Sequence, residues 1–258
     1  MSANNENGPS PQRTVWRVIE YEEYDAFMNM AIDEALSESV AGSKEPTIRF
    51  YGWRPAAVSI GYFQSLEKEV DLEACRAAGV DIVRRRTGGG AVYHDSEITY
   101  SVIAPEPLFP RDIIASYQVI CGWIVDSLSQ IGIKSEFRPI NDIIVSGKKI
   151  SGNAQSRRGG ILLQHGTILY SVDVERMFSL LKVSDEKIRD KMIANVKDRV
   201  TSVSELTGTS KAELYRALLA GFTTGKHFNY HPLLKRERLR AAEIADERYR
   251  SAAWSGMR

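Results

Sequence analysis

The sequence predicts an α+β fold: a mainly antiparallel sheet core with flanking helices. Three observations carry this. Short β-like runs follow one another in the first half of the chain. Ser146-Gly147 and Gly159-Gly160 sit where hairpin turns would join three further strands. Strong helical periodicity is confined to a few segments and gathers towards the C-terminus, with no strict strand–helix alternation.

In order, residues 1–14 form an Asn-, Ser-, Pro- and Gly-rich arm expected to be disordered. Residues 15–258 are expected to form one domain, since no composition break marks a linker. Residues 24–39 predict a helix, with Phe27, Met30, Ala31 and Ala35 on one face. Strands are predicted at 47–51, 57–62, 81–86, 91–94 and 98–104, with a brief helix at 71–78. Residues 111–132 predict the clearest helix: Ile113, Tyr117, Ile120, Cys121, Ile124, Val125, Leu128 and Ile131 trace an apolar stripe, and Gly132 suits the residue after its end. Strands at 142–145, 149–155 and 161–170 follow, and from Asp173 onward the pattern is helical. Ser210 and Glu213 have capping-box spacing, and a charged helix at 234–249 comes last.

Composition excludes several classes. Among 258 residues, Lys plus Arg number 34 and Asp plus Glu 33, a balance that argues against a surface built to grip nucleic acid. Two cysteines cannot make a disulfide framework or a Cys-rich zinc site, and they point to a reducing compartment. No apolar run is long enough to span a bilayer, and the first residues lack the apolar core of a signal peptide, so a cytoplasmic protein is expected.

Three segments look chemical. Residues 84–95 read Arg-Arg-Arg-Thr-Gly-Gly-Gly-Ala-Val-Tyr-His-Asp. Glycines let backbone approach a ligand, successive N–H groups can cradle an anion, and arginines add planar donors. Strand alternation sets Arg85 on the face opposite Arg84 and Arg86, so only one or two of them can face a ligand. A glycine hairpin flanked by solvated arginines reads as well.

In the second segment, residues 141–152, a two-residue loop at Ser146-Gly147 would pair Ile144 with Lys149 and Asp142 with Ser151. Asp142 and Lys149 would then share a face, diagonally about 7–8 Å apart. They could serve Mg²⁺ and a phosphate oxygen, or be a screened surface pair. The third segment is Gln164-His165-Gly166-Thr167 inside an apolar strand, costly there unless it meets partners or a ligand. A lone histidine there is more often a satisfied core histidine than a catalyst.

Taken together, residues 84–95, Asn-Asp-Ile at 141–143, Gly-Lys-Lys-Ile-Ser-Gly-Asn-Ala at 147–154 and His-Gly-Thr at 165–167 resemble lipoate–protein ligase, in that family's order and spacing. The resemblance runs from about Trp16 to Trp254. It implies a biotin/lipoate ligase-like catalytic domain that joins lipoate to AMP from Mg-ATP and passes the lipoyl group to a lysine. It also implies roles. Lys149 would touch the α-phosphate and the carboxyl oxygen as the catalytic group. Arg85, Gly88, Gly89 and Gly90 would hold the adenylate, and Ala91, Val92 and Tyr93 would line its adenine side. Asn141 would serve phosphate and Asp142 the Mg²⁺, while His165 and Thr167 would lie along the lipoyl carboxyl and tail. The implied acceptors are lipoyl domains, such as the acyltransferase subunit of a 2-oxo acid dehydrogenase or the glycine-cleavage H protein.

Members of full length carry a small accessory domain after the helix that corresponds to 234–249, and two-chain members exist. A separate accessory subunit needed for adenylation is therefore expected. The rivals are an octanoyl or lipoyl acyltransferase of the same superfamily, a biotin–protein ligase, and a non-catalytic lipoate-binding subunit. The acyltransferase needs a cysteine nucleophile. Cys121 reads as inert core and Cys75 lies outside all three segments. The biotin branch has a glycine loop richer in Arg-Gly pairs, and a mere binder has no need of the set Arg85, Asp142 and Lys149.

Overall fold

A computed structural model describes residues 14–182 and 190–258 in full and the backbone of 186–189. The arm expected at 1–14 lies almost wholly outside the described residues. The strands are β1 (Val15–Tyr24), β2 (Thr47–Trp53), β3 (Ala57–Ile60), β4 (Asp81–Arg84), β5 (Val92–His94), β6 (Ile98–Pro105), β7 (Glu136–Arg138), β8 (Asp142–Val145), β9 (Lys148–Arg158), β10 (Ile161–Ile168) and β11 (His227–Tyr230). The helices are α1 (Ala26–Ser43), α2 (Leu66–Glu69), α3 (Leu72–Ala77), α4 (Ile113–Gln130), α5 (Val174–Leu180), α6 (Glu186–Arg199), α7 (Val203–Leu206), α8 (Lys211–Thr223), α9 (Lys235–Ile244) and α10 (Ala252–Ser255). A π-helical turn, Ala245–Tyr249, extends α9.

Eight strands form one sheet in the order β11-β1-β2-β6-β10-β9-β8-β7, and β4-β3-β5 form a second. In the large sheet β1 pairs in parallel with β11 and β2, and every other neighbour is antiparallel. The fold is therefore α+β with a mainly antiparallel sheet. It contains two parallel strand–helix–strand connections, β1–α1–β2 in the large sheet and β3–α2–α3–β4 in the small one.

Strand alternation splits the core into two layers. Ile48, Phe50, Tyr100, Val102 and Leu162 face Ile120, Ile124 and Leu128 of α4 and Leu214, Leu218 and Phe222 of α8. On the opposite face Tyr51, Trp53, Ile103 and Leu163 meet Met30, Ala31, Ala35 and Leu36 of α1 and Ala241 and Ile244 of α9. A third cluster packs Val58 and Ile60 of the small sheet against Cys75 of α3. The cavity described below lies on the α1 side, between the two sheets.

Local chemistry explains the helix starts. Asp25 accepts from the Met28 N–H at 2.7 Å, so α1 begins at Ala26 rather than Tyr24. Asp112 caps α4 in the same way, and Ser210 with Glu213 forms the expected capping box of α8. Both expected hairpin turns are present. Ser146 and Gly147 have φ of 49° and 83°, and Gly159 and Gly160 have 58° and 74°, as primed two-residue turns require.

Three strands differ from the sequence reading, and the first is β7, a three-residue edge strand beside β8 that falls between predicted elements. β1 precedes the first predicted helix, and β11 interrupts a region that reads as helical. β11 is a four-residue edge strand, mostly exposed, and it exists because β1 offers a free edge. Among the described residues no helix is long and apolar enough to cross a membrane.

Candidate active site

Arg85, Gly88, Gly89, Gly90, Ala91, Val92, Tyr93, Asn141, Lys149, His165 and Thr167 all line one cavity of about 300 Å³. Asp142 stands beside it, in contact with Lys149. Segments far apart in sequence meet there because β10 pairs with β9 along its length, while the small sheet brings the glycine loop over both.

The β8–β9 hairpin positions the lysine. Val145 pairs with Lys148 and Ile144 with Lys149, as expected from a two-residue turn. The register then shifts by one, so Asp142 opposes Gly152 instead of the Ser151 that an unbroken ladder predicts. The bulge brings Asp142 Oδ1 to 2.7 Å from Lys149 Nζ, far closer than the expected diagonal. Gly152 makes this possible: a Cβ there would lie 2.7 Å from Nζ and 2.8 Å from Cε of Lys149. Both side chains are more than a third exposed, so the pair contributes little to stability. Oδ1 is itself inaccessible and receives no well-directed hydrogen bond, so the contact is a charge pair with an acceptor left unused.

The three arginines have separate tasks. Arg84 is buried and ties the C-terminus, donating to the carbonyls of Trp254 and Ser255 and to those of Gly61, Tyr62 and Gln64. Arg86 pairs with Glu34 at 2.6 Å, on the rim of a second cavity of about 330 Å³. Arg85 faces the main cavity. It donates to the Ser59 carbonyl and hydroxyl and to the carbonyls of Gly88 and Gly90. Burial lowers its pKa to about 10, which leaves it charged at neutral pH. Among the described residues no carboxylate pairs with it, so the cavity wall holds a buried guanidinium without a counter-ion. Such a charge is costly until an anion meets it.

Alternation on β10 sorts the polar segment. Gln164 points to the α4 side and donates to Tyr100 Oη at 2.8 Å. His165 points to the cavity, with Nε2 2.7 Å from Thr87 Oγ1 and Nδ1 3.3 Å from Asp33 Oδ2. Gly166 has no room for a side chain, because a Cβ would lie 2.0 Å from Asn153 Oδ1. Asn141 braces the neighbouring strand β9, donating to the Asn153 carbonyl at 2.5 Å.

Sequence reasoning missed the cavity wall supplied by Met30, Tyr51, Trp53, Ser59 and Glu97, and by Val196 and Val200 from the end of α6 and beyond. One signal was legible: α1 carries Asn29, Asp33 and Glu34 among its apolar residues, and all three are buried. Asp33 takes hydrogen bonds from Arg49 at 2.9 Å and Ser101 at 2.6 Å.

Burial opposes the charged form of Asp33, but His165, Arg49 and Ser101 outweigh it and hold its pKa below the usual range. Burial opposes ionisation of Glu97 as well, and contact with His94 reverses the sign. His94 is itself lowered, chiefly by burial. All three pKa values are depressed in the folded state, so each group contributes stability that is present above its unfolded pKa and lost as pH falls. The melting temperature is therefore expected to decline from about pH 6.5 as unfolded histidine gains protons, and more steeply below about pH 4. Thermal melts between pH 7 and 3 check this; a flat profile down to pH 4 contradicts it.

Residues 25–223 match the family described as lipoyl protein ligase A/B catalytic domain. The chain is 37% identical to octanoyltransferase LipM of Macrococcus caseolyticus, covering 93% of this chain and 97% of that one. It is 36% identical to octanoyltransferase LipM of Geobacillus kaustophilus, over 94% and 98%. Among solved structures it resembles a bi-partite lipoate protein ligase of Thermoplasma acidophilum, with TM-score 0.86 and 32% identity over 95% and 98% of the chains. A lipoate-protein ligase A bound with ATP is similar at TM-score 0.80 and 29% identity, over 93% and 98%. Arg85, the three glycines that follow it, Asn141, Lys149 and His165 around one cavity thus accompany near full-length similarity, and the chain belongs to the lipoyl protein ligase A/B catalytic domain family.

Proposed function

We propose that this chain is the catalytic subunit of a lipoate–protein ligase. It would join lipoate, or the related octanoate, to AMP from ATP, and pass the acyl group to a lysine of a lipoyl domain. The observation that carries this reading is a pair of cations on one partly apolar pocket: Arg85, buried without a carboxylate partner, and Lys149 beside Asp142, in a lining that also includes Asp95, Glu97 and Asp173 but neither cysteine.

The chemistry follows from those groups. The acyl carboxylate attacks the α-phosphorus of ATP, and pyrophosphate leaves with the bond electrons. Lys149 stabilises the negative charge that builds on the α-phosphoryl oxygens, a contribution of about 3–4 kcal/mol for one preorganised donor. Its ammonium also neutralises the phosphate of the mixed anhydride while the acceptor amine attacks the carbonyl and AMP leaves. Arg85 and the glycine loop supply the anion's seat, and Met30, Tyr51 and Trp53 offer apolar surface for the acyl tail. Asp142 fits a Mg²⁺ role only as a single ligand. Its Oδ1 is inaccessible and lies 2.7 Å from Lys149 Nζ, which leaves Oδ2 for a hard cation, and no group of three or more His, Cys, Asp or Glu converges among the described residues. Most of the ion's oxygen ligands would come from phosphate and water, as is usual for Mg²⁺. When bound, that ion would offset charge on the leaving pyrophosphate.

The bi-partite Thermoplasma ligase and its E2 lipoyl domain support two further parts of the reading, an accessory subunit for the adenylation step and lipoyl-domain acceptors. A second reading, octanoyl transfer without ATP, is favoured by the names of the LipM relatives. It requires a nucleophile to carry the acyl group. Both cysteines are buried outside the cavity, and burial raises Cys75 to about 11 and Cys121 to about 12. Replacing both by alanine is therefore expected to leave transfer activity within about twofold, at a stability cost of about 1–3 kcal/mol. A stable acyl-thioester on either residue contradicts the ligase reading.

The direct test is mass spectrometry of a lipoyl domain incubated with this chain and one of three donors: lipoate with Mg-ATP, synthetic lipoyl-AMP, or an octanoyl thioester of a carrier protein. Acylation from lipoyl-AMP but not from the thioester supports the ligase; acylation from the thioester alone overturns it in favour of the acyltransferase. If lipoyl-AMP works and lipoate with Mg-ATP does not, the accessory subunit is needed. Acylation by both ligase donors removes that requirement.

A further inference from the structure

A continuous chain of buried hydrogen bonds leads from Glu97 to the glycine loop. Glu97 Oε1 lies 2.5 Å from His94 Nδ1, and its Oε2 accepts from the Asp95 N–H at 2.8 Å. His94 Nε2 lies 2.6 Å from Ser59 Oγ. Ser59 Oγ accepts from Arg85 Nη1 at 2.7 Å, and Arg85 Nη2 donates to the carbonyls of Gly88 and Gly90 at 3.1 and 2.9 Å. Glu97, His94, Ser59 and Arg85 are all buried.

Burial favours the neutral form of His94, and its contact with Glu97 favours the carboxylate. In that state the imidazole proton sits on Nδ1 and donates to the carboxylate. Nε2 is then an acceptor, and the Ser59 hydroxyl must donate to it. That leaves the Ser59 lone pairs for Arg85, whose other amino group is free for the glycine carbonyls. Trp53 stacks on the imidazole at 3.8 Å and 16°, which fixes the ring plane.

Ser59, His94 and Glu97 have the connectivity of a nucleophile, base and orienting acid. They are not placed to act as one. Ser59 is fully buried, and its oxygen is engaged by a guanidinium that lowers its nucleophilicity. The chain ends instead on Arg85, the cation that lacks a carboxylate partner. A guanidinium in that state has no strong reason to keep one orientation, and the acceptors on Ser59 supply it.

We propose that His94 is a positioning residue: through Ser59 it orients Arg85, and Arg85 holds the carbonyls of Gly88 and Gly90 so that the loop's N–H groups stay turned to the ligand. The opposite end of the loop has its own anchor, Thr87, which meets His165 backed by Asp33. The loop is therefore spanned between two histidines, each backed by a buried carboxylate. This inference rests on the ligase reading only in taking the loop as the seat of the acyl-adenylate.

The experiment uses the full chain and three variants: Ser59→Ala, His94→Phe, which keeps the stacked ring without its nitrogens, and His94→Gln, which keeps one donor and one acceptor. Two readouts are taken, amide hydrogen exchange over residues 87–91 and the KM and kcat of transfer from lipoyl-AMP to a lipoyl domain. Ser59→Ala and His94→Phe are expected to speed exchange in the loop and raise KM about tenfold, with kcat far less affected, as loss of a hydrogen bond to a charged group implies. His94→Gln is expected to recover most of both effects. Unchanged loop exchange and KM in Ser59→Ala overturn the proposal, whatever the melting temperature does. Should His94→Phe fail to fold, Ser59→Ala still decides. Exchange is measured without substrate, so a failure of the ligase reading would show as absent wild-type transfer and leave the test of the brace intact.

Discussion

Lys149→Met is expected to lower acyl transfer about 10²–10³-fold while the melting temperature stays within a few degrees of the parent. The two halves of this expectation have different origins. The rate loss follows from removing the ammonium that shares a cavity with the glycine loop and meets Asp142. The unchanged stability follows from the exposure of the Lys149–Asp142 pair, 40% and 35%, where water already solvates both charges. Lys149→Arg is not expected to rescue activity. The lysine side chain crosses Gly152 where even a methyl group would collide, so a wider guanidinium has no path to the same point. Single-turnover transfer from lipoyl-AMP, with thermal melts alongside, checks both halves. Full activity in Lys149→Met would remove the lysine from the mechanism.

Gly61→Ala is expected to damage the site by moving the glycine loop bodily. A Cβ on Gly61 would lie 2.0 Å from the Gly89 carbonyl oxygen and 3.2 Å from the Gly88 carbonyl carbon. Both neighbours are backbone, so no side chain can swing aside. Neither strand is free to retreat: Arg84 holds the Gly61 carbonyl, Gln64 holds the Gly61 N–H, and the Tyr62 N–H donates to the Thr87 carbonyl. Overpacking of this kind costs about 1–3 kcal/mol, and the expected result is a melting temperature lower by several degrees with KM for lipoyl-AMP raised about tenfold or more. Steady-state kinetics and calorimetry measure it. An unaltered KM would mean that the loop does not touch the ligand.

Much of the site was legible because its chemistry is local in sequence. The three glycines, the Ser146-Gly147 turn and the alternation of His165 and Thr167 on one strand face each depend on a few consecutive residues. The Asp142–Lys149 contact was only half legible. The turn set the shared face, but the bulge at β9 set the distance, and a bulge leaves no sequence signature when the residues around it are ordinary strand formers. The partition of Arg84, Arg85 and Arg86 was less legible still. Alternation separates Arg85 from its neighbours, yet it does not say that Arg84 would be spent on the C-terminus or Arg86 on Glu34 of α1.

By itself the sequence determined the elements whose partners are near along the chain, namely the hairpins β8–β9 and β9–β10, the α4 stripe, the capping box of α8, and the three polar segments that meet at the cavity. The tertiary structure decided what depends on distant edges and on burial. β11 forms only because β1 lies open beside it, and β1 becomes a strand by lying between β2 and β11. Met30 and Asp33 join the site because α1 crosses the face of the sheet that carries His165. The pairing of His94 with Ser59 likewise needs β5 to lie antiparallel to β3. Local patterns follow from torsional preference and side-chain periodicity, which act over a few residues. Long-range pairing follows from which surfaces remain to be covered, and that is settled only when the whole chain packs.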